Sequence, residues 1–99
     1  MTELDVIKVK TLRGDMIQAL YNLYPTKVPL NRVFELLRYK GYHSKEEIKK
    51  ATEYLAGIDK EFMDVEPHKD YFKSLVSITP KGINLVEKDI KDIGVILNE

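Results

Sequence analysis

The sequence predicts one domain of the α+β class that is mainly helical. Apolar residues recur at helical spacing in three segments before residue 58 and again after residue 79, whereas the stretch between them alternates as strands do. Two of the predicted helices are separated by only a short connection, which makes them a helix-turn-helix candidate. A chain of 99 residues is long enough for a single core, so we expect one domain over residues 1–99.

The first predicted helix covers residues 11–24. Pro25 ends it, because a proline disfavours helical geometry in the residue before it. The residues before the helix, 1–10, contain an apolar run that is too short to assign as helix or strand, and we treat them as an N-terminal arm. The apolar stripe of the helix is expected to hold Leu12, Met16, Ala19, Leu20 and Leu23.

The helix-turn-helix candidate follows a short extended segment, TKVPL, that is expected to add a small strand. Its first helix starts with Asn31 as the N-cap and ends at Gly41, since glycine adopts the left-handed conformation that a helix C-terminus commonly needs. Its second helix covers residues 44–58 and begins with a capping box of Ser44 and Glu47. The buried stripe of this second helix is expected to hold Ile48, Ala51, Thr52, Leu55 and Ile58.

A β-hairpin is predicted over residues 60–79, where KEFMDVEP alternates and YFKSLVSIT is rich in aromatic and β-branched residues. The last helix starts with Thr79 as the N-cap and Pro80 at the first position, where the missing N–H costs nothing. Gly94 breaks this helix and leaves residues 94–99 as a C-terminal tail. Its buried stripe is expected to hold Ile83, Val86, Ile90 and Ile93.

The net charge is zero, but the charges are unevenly distributed along the chain. Residues 8–50 carry ten lysines or arginines against four acidic residues, whereas residues 51–99 carry six lysines against ten acidic residues. If the basic half folds to one face, that face has a positive potential that the overall pI near 6.7 conceals. The alternative is the ordinary variation of charge over a protein surface.

Composition argues against several classes of protein. The chain has no cysteine, which excludes disulfides and thiolate metal sites and is typical of an intracellular protein. No apolar run approaches the roughly 20 residues of a membrane-spanning helix, and the N-terminus lacks the apolar core of a signal peptide, so we expect a soluble, cytoplasmic protein. We expect no enzyme activity and no cofactor, because the sequence has neither a nucleophile elbow nor a phosphate-binding glycine loop. We expect no metal site either, since His43 and His68 have no partners at ligand spacing.

The order of the predicted elements, helix, short strand, helix, helix, hairpin and helix, resembles that of a winged-helix domain. The residues that carry the resemblance are the capped helix 44–58, the hairpin and above all SITPKGINLV at residues 77–86. That segment is similar to the LTxxGxxLL signature that closes the wing in winged-helix regulators of the multiple-antibiotic-resistance and PadR kinds. With RGDMIQALY near its start, the chain also resembles small winged-helix proteins of Mu-like prophages. The resemblance implies a three-helix core, a two-stranded β wing and a C-terminal helix.

The resemblance further implies a DNA-binding regulator of the phage or prophage type, with helix 44–58 in the major groove of double-stranded DNA. Cationic and hydrogen-bonding residues around the start of this helix would contact phosphates, and a lysine of the wing would reach the neighbouring DNA. Arg13 and Arg32 are weaker additions. The candidate DNA-binding residues are Arg38, Lys40, Tyr42, His43, Lys45, Lys49, Lys50 and Lys69.

Helix 44–58 also has a feature that weighs against DNA binding. It carries Glu46, Glu47 and Glu53 beside its three lysines, and carboxylates interact unfavourably with a lattice of phosphates. Winged helices also serve as protein-interaction modules, so binding a protein partner without DNA is the alternative function. The basic cluster would then be an ordinary solvated surface, with Tyr42 packed at the edge of the core and the wing an ordinary hairpin.

A homodimer is expected from the two ends of the chain. Residues 4–9 and 93–97 are rich in apolar side chains that a lone domain of this size would leave exposed. Two-fold symmetry would then place two recognition helices about 34 Å apart on a pseudo-palindromic DNA site.

Overall fold

The first helix, α1 (Glu3–Leu23), is the longest element of the computed structural model, which describes residues 2–97. It begins with a capping box in which the Thr2 hydroxyl accepts a hydrogen bond from the Asp5 N–H and the Asp5 carboxylate accepts one from the Thr2 N–H. The prediction of an N-terminal arm and of a helix start near residue 11 was therefore wrong for residues 3–10, which form the first turns of α1.

The predicted pair of helices is present as α2 (Leu30–Arg38) and α3 (Lys45–Leu55). The start of α2 differs from the prediction, because Asn31 lies inside the helix and the cap position is held by Pro29, which has no side-chain donor or acceptor. After α2, Gly41 has a φ of 93°, the left-handed conformation that was predicted for this glycine.

Ser44 is the N-cap of α3 as predicted, since its hydroxyl accepts a hydrogen bond from the Glu47 N–H at 3.3 Å. The other half of the predicted capping box, from the Ser44 N–H to the Glu47 carboxylate, is not formed. The end of α3 differs from the prediction. The helix stops at Leu55, so Ile58, which was predicted to lie on the buried stripe, is 90% exposed. The other predicted members of that stripe are buried: Ile48, Ala51, Thr52 and Leu55.

Three short antiparallel strands form one sheet: β1 (Val28–Pro29), β2 (Met63–Glu66) and β3 (Leu75–Ile78). The strand order is β1-β3-β2, and Val76 of the central strand pairs with a valine on each neighbour. The predicted small strand and hairpin are confirmed. The connection between β2 and β3 contains a 3-10 turn (Tyr71–Lys73), where the sequence had predicted strand.

The last helix, α4 (Pro80–Val86), starts as predicted, with the Thr79 hydroxyl accepting a hydrogen bond from the Gly82 N–H at 3.0 Å. It is shorter than predicted, because Lys88 takes a φ of 67° and turns the chain away from the helix. Ile93 therefore does not lie on a helical stripe and is exposed.

The C-terminal segment, residues 88–97, packs back onto α1. The Ile96 N–H donates a hydrogen bond to the Lys10 carbonyl at 3.0 Å. Gly14 lies at the crossing point, where a Cβ would overlap the Ile96 carbonyl. Residues 94–97 of the predicted tail are thus held against α1, while residues 98 and 99 lie outside the described part of the chain.

One apolar core joins the three long helices to the sheet. Residues 2–97 form an α+β fold of four α-helices and a three-stranded antiparallel sheet, and they are mainly helical, as predicted. None of the helices in this range is long and apolar enough to cross a membrane. Central members of the core are Leu12, Met16, Ile17, Leu20, Leu30, Val33, Leu37, Ile48, Leu55, Val76 and Leu85.

Candidate nucleic-acid interface

The exposed side of α3 carries the three lysines that were predicted to contact DNA. Lys45, Lys49 and Lys50 are all exposed, since the buried stripe of α3 occupies the other side of the helix. Lys45 and Lys49 are four residues apart and therefore lie on the same face. Because Ser44 fixes where the helix begins, it also fixes these side chains relative to the α2–α3 turn.

Two aromatic rings of the β2–β3 connection lie beside these lysines. The Lys45 ammonium is 5.1 Å from the centre of the Phe72 ring, and the Lys49 ammonium is 5.0 Å from the centre of the Tyr71 ring. Such cation–π contacts contribute about 0.5–1 kcal/mol at exposed sites. Phe72 also packs edge-on against Phe34 of α2, with ring centres 6.0 Å apart. The connection is thereby held against the helix pair, next to the lysines of α3.

Sequence reasoning missed Tyr71 and Phe72 as parts of this site. It assigned both to a strand, because aromatic residues favour strands. Their contacts with α2 and α3 depend on residues distant in the chain, which a local pattern does not contain. The local sign of a turn was Asp70, whose carboxylate accepts a hydrogen bond from the Phe72 N–H at 3.2 Å.

The outer face of α3 also carries negative charge. Glu46, Glu47 and Glu53 are exposed and equal the three lysines in number. The Lys50 ammonium lies 3.4 Å from the Glu46 carboxylate, but both side chains are largely exposed, so this ion pair contributes little to stability. The surface of α3 alone is therefore neutral in net charge, and any excess of positive charge comes from neighbouring segments.

The α2–α3 turn supplies three further candidates, two of which are cationic. Arg38 and His43 are exposed. The Lys40 ammonium lies 3.4 Å from the carboxylate of Asp15 on α1, and its side chain remains half-exposed. An ammonium has three donors, so this ion pair leaves Lys40 able to contact a second acceptor.

Tyr42 was predicted to donate a hydrogen bond to a phosphate, and the structure contradicts this. The residue is 8% exposed, and its hydroxyl donates to the Asp15 carboxylate at 3.1 Å. Burial, together with the negative charge of Asp15, raises the pKa of Tyr42 to about 12. Tyr42 thus lies at the edge of the core, which was the alternative left open by the sequence, and it ties the turn to α1.

Lys69, the candidate from the wing, is exposed in the β2–β3 connection. Nearby, the Glu66 carboxylate is paired with Lys27 at 2.6 Å. The His68 Nδ1 accepts a hydrogen bond from the Asp70 N–H at 3.0 Å, so this histidine helps to shape the connection. Within residues 2–97, no three His, Cys, Asp or Glu side chains are grouped so that they could hold a metal ion.

The two weaker arginine candidates lie in different surroundings. The Arg13 guanidinium lies 3.7 Å above the centre of the Tyr54 ring and donates a hydrogen bond to the Gly94 carbonyl at 3.0 Å. Arg13 therefore holds the C-terminal segment against α1 and α3, and its guanidinium is engaged within the protein. Arg32 is exposed on the outer side of α2.

Asp92 connects this C-terminal segment to the end of α3. Its carboxylate accepts hydrogen bonds from the Tyr54 hydroxyl at 2.8 Å and from the Gly94 N–H at 2.7 Å, and it lies 3.1 Å from the Lys60 ammonium. Burial by itself would raise the pKa of Asp92, but these donors outweigh it and hold the pKa below its usual value. The C-terminal segment is thus tied through Asp92 to Tyr54, near the end of α3.

A comparison with protein-family models, with curated proteins and with solved structures finds no match for this chain. The exposed residues of the predicted set lie on α3, on the α2–α3 turn and on the β2–β3 connection: Arg38, Lys40, His43, Lys45, Lys49, Lys50 and Lys69.

Proposed function

We propose that this chain is a winged-helix DNA-binding protein and acts in the cytoplasm as a transcriptional regulator of the phage or prophage type, without a cofactor. The observation that carries the proposal is the order of elements, α1, β1, α2, α3, β2, β3 and α4, with β3 central in the sheet. This is the order of a winged helix, in which α3 would be the recognition helix and the β2–β3 hairpin the wing.

In the proposed complex, the N-terminal half of α3 enters the major groove while neighbouring cations neutralise phosphates. The contacts of Phe72 and Tyr71 with Lys45 and Lys49 support this arrangement, because they keep the wing connection beside the start of α3. Tyr42 is left out of the interface, since its hydroxyl already donates to Asp15. The residues proposed to contact DNA are Arg38, Lys40, His43, Lys45, Lys49, Lys50 and Lys69.

The experiment that tests the proposal is fluorescence anisotropy of a labelled random-sequence duplex, titrated with the protein at several salt concentrations. Each neutralised phosphate adds about 0.9 to the slope of log Kobs against log salt, so four to seven contacts give a slope of about −4 to −6. A slope near zero would contradict phosphate binding by this surface.

A charge-reversed variant tests whether α3 is responsible. Lys49→Glu combined with Lys50→Glu should weaken duplex binding at least about tenfold, because phosphate attraction becomes repulsion at two positions. The matched control is Lys81→Glu combined with Lys91→Glu, which changes the net charge equally at exposed positions outside the proposed DNA-binding and dimer surfaces. Circular dichroism establishes that both variants are folded. Equal loss of binding in the two variants would show that α3 is not the binding surface.

A homodimer is part of the proposal. Leu4 and Ile7 are exposed on the first turns of α1, and Ile96 is exposed beside the same helix. Apolar side chains grouped at one end of a domain are typical of a surface that another chain covers. Light scattering should give the mass of two chains, and a one-chain mass at high micromolar concentration would contradict the dimer.

A second candidate function is a protein-interaction module that does not bind DNA. It is favoured by the equal numbers of exposed carboxylates and lysines on α3 and by the zero net charge of the chain. Absence of duplex binding even at about 50 mM salt, where phosphate contacts are strong, would make this the leading account.

A further inference from the structure

The outer side of α2 presents a stripe of residues that the packing of the domain does not use. Leu36 and Tyr39 follow Arg32 at helical spacing, so the three lie on one face of the helix. Leu36 is 40% exposed and Tyr39 is 94% exposed, whereas the opposite side of α2 is buried in the core. This face therefore leaves an aromatic ring and part of a leucine in contact with water.

A trough runs along this face. A cavity of about 600 Å³ is lined by Leu36 and Tyr39 near the end of α2, and a second of about 760 Å³ lies near the start of the helix against Val28. Arg32 and Glu35 line both cavities, so the two are neighbours and form one surface, the α2 trough. Since α2 has nine residues, the trough follows a helix about 14 Å long, which matches two to three turns of a docked helix.

The rim of the α2 trough is positively charged. Arg32, Arg38 and Lys73 line it against one carboxylate, that of Glu35, so the rim carries a net charge of +2. Two histidines also line it. Tyrosine and arginine are the side chains enriched in the parts of interfaces that carry most of the binding free energy. The trough therefore combines an apolar floor with a rim that attracts carboxylates.

We propose that the α2 trough binds an acidic amphipathic helix of a partner protein. The apolar stripe of that helix contacts Leu36 and Tyr39, and its carboxylates pair with Arg32 and Arg38. A DNA duplex fits the trough less well, because phosphates and sugars gain little from Leu36 on the floor and from the Tyr39 ring that projects at its edge. The trough shares Arg38 and His43 with the residues proposed to contact DNA, whereas Leu36 and Tyr39 belong to the trough alone.

The first test uses designed peptides as probes. A fluorescent peptide of about 16 residues, with leucines at helical spacing and glutamates at the other positions, is long enough to form the docked helix. A matched peptide with lysines in place of the glutamates, and another with glutamines, have the same apolar stripe. Anisotropy should show binding of the glutamate peptide at least about tenfold tighter than the glutamine peptide, with no binding of the lysine peptide.

Variants of the chain locate the site. Leu36→Ser combined with Tyr39→Ser should weaken binding of the glutamate peptide at least about tenfold. The matched control is Ile58→Ser combined with Ile93→Ser, which removes apolar side chains that are 90% and 92% exposed elsewhere on the surface. Arg32→Glu tests the contribution of the positive rim and should abolish binding of the glutamate peptide, whereas Lys8→Glu should leave that binding unchanged. Duplex binding, measured in parallel, should change less than about twofold in the two serine variants.

NMR chemical shifts of the backbone amides of the wild-type chain give a readout that does not depend on any variant. Addition of the glutamate peptide should shift amides of α2 and of the β2–β3 connection. The proposal is overturned if the shifts centre on another element, if all three peptides bind equally, or if the trough and control variants behave alike. Loss of duplex binding in Leu36→Ser with Tyr39→Ser would also overturn it, since the trough would then be a nucleic-acid surface.

Discussion

Replacing Asp92 by alanine tests whether the C-terminal segment holds α3 in place. The Asp92 side chain is 4% exposed and accepts two hydrogen bonds, from Tyr54 and Gly94, besides its ion pair with Lys60. A hydrogen bond to a charged group contributes about 1.5–3 kcal/mol. Since Tyr54 and Lys60 are partly exposed and can turn to water in the variant, we expect the free energy of unfolding to fall by about 2–4 kcal/mol.

Urea unfolding followed by circular dichroism measures this change. Asp89→Ala is the control, because Asp89 is an exposed acidic residue of the same segment, and its replacement should cost less than about 0.5 kcal/mol. The folded state holds the pKa of Asp92 below its usual value, so its stabilisation is present above about pH 4 and is lost as the pH falls further. The difference between wild type and Asp92→Ala should therefore shrink in acid. Equal stabilities of the two alanine variants at neutral pH would refute the reasoning.

Three further outcomes are expected. Gly14→Ala should lower the free energy of unfolding by about 1–2 kcal/mol, measured by urea unfolding, because the new Cβ displaces Ile96 from the Lys10 carbonyl. This loss is expected to exceed the gain from the better helix propensity of alanine. A variant more stable than the wild type would contradict the packing of the C-terminal segment on α1. The free energy of unfolding of the wild type should fall between about pH 10 and 12, because the folded state raises the pKa of Tyr42 above that of an unfolded tyrosine. In urea unfolding at alkaline pH, Tyr42→Phe should show a smaller decrease over this range, since it has no phenol at that position to titrate. If the chain binds duplex DNA as proposed, Phe72→Ala should weaken that binding a few-fold in the anisotropy assay, because it releases the β2–β3 connection from α2 and α3. Unchanged affinity would exclude a role for this contact.

Two helix starts were predictable, at Ser44 and Thr79, whereas Asn31 looks like a cap in the sequence but lies inside α2. Ser44 and Thr79 both cap helices that bury one side, so the local rule and the periodicity agree. Thr2 and Asp5 form the same kind of cap, but the turns they start project beyond the core and have no single apolar stripe. The apolar pattern of residues 3–10 therefore did not predict a helix, although the capping residues Thr2 and Asp5 indicate one.

The sequence predicted which exposed charged residues lie in the candidate site better than it predicted how the surrounding side chains are arranged. Exposed lysines on α3 follow from its periodicity, because a buried stripe defines the opposite face. Tyr42 fits either a surface or the edge of a core, and the choice is decided by Asp15, a residue 27 positions earlier. Likewise, Phe72 becomes part of the site only through its contacts with Phe34 and Lys45. Such contacts follow from the assembled fold and not from neighbouring residues.

The attachment of the C-terminal segment also has a consequence for the order of folding. The hydrogen bond from Arg13 to the Gly94 carbonyl joins residues 81 positions apart. The entropy of closing so long a loop must be offset before the contact becomes favourable, whereas the helix pair and the hairpin rely on contacts closer in the chain. The segment should therefore close over α1 and α3 late in folding and open first in unfolding. The contacts of Tyr54 with Arg13 and Asp92 then form only in the last step, when residues from near the two ends of the chain meet.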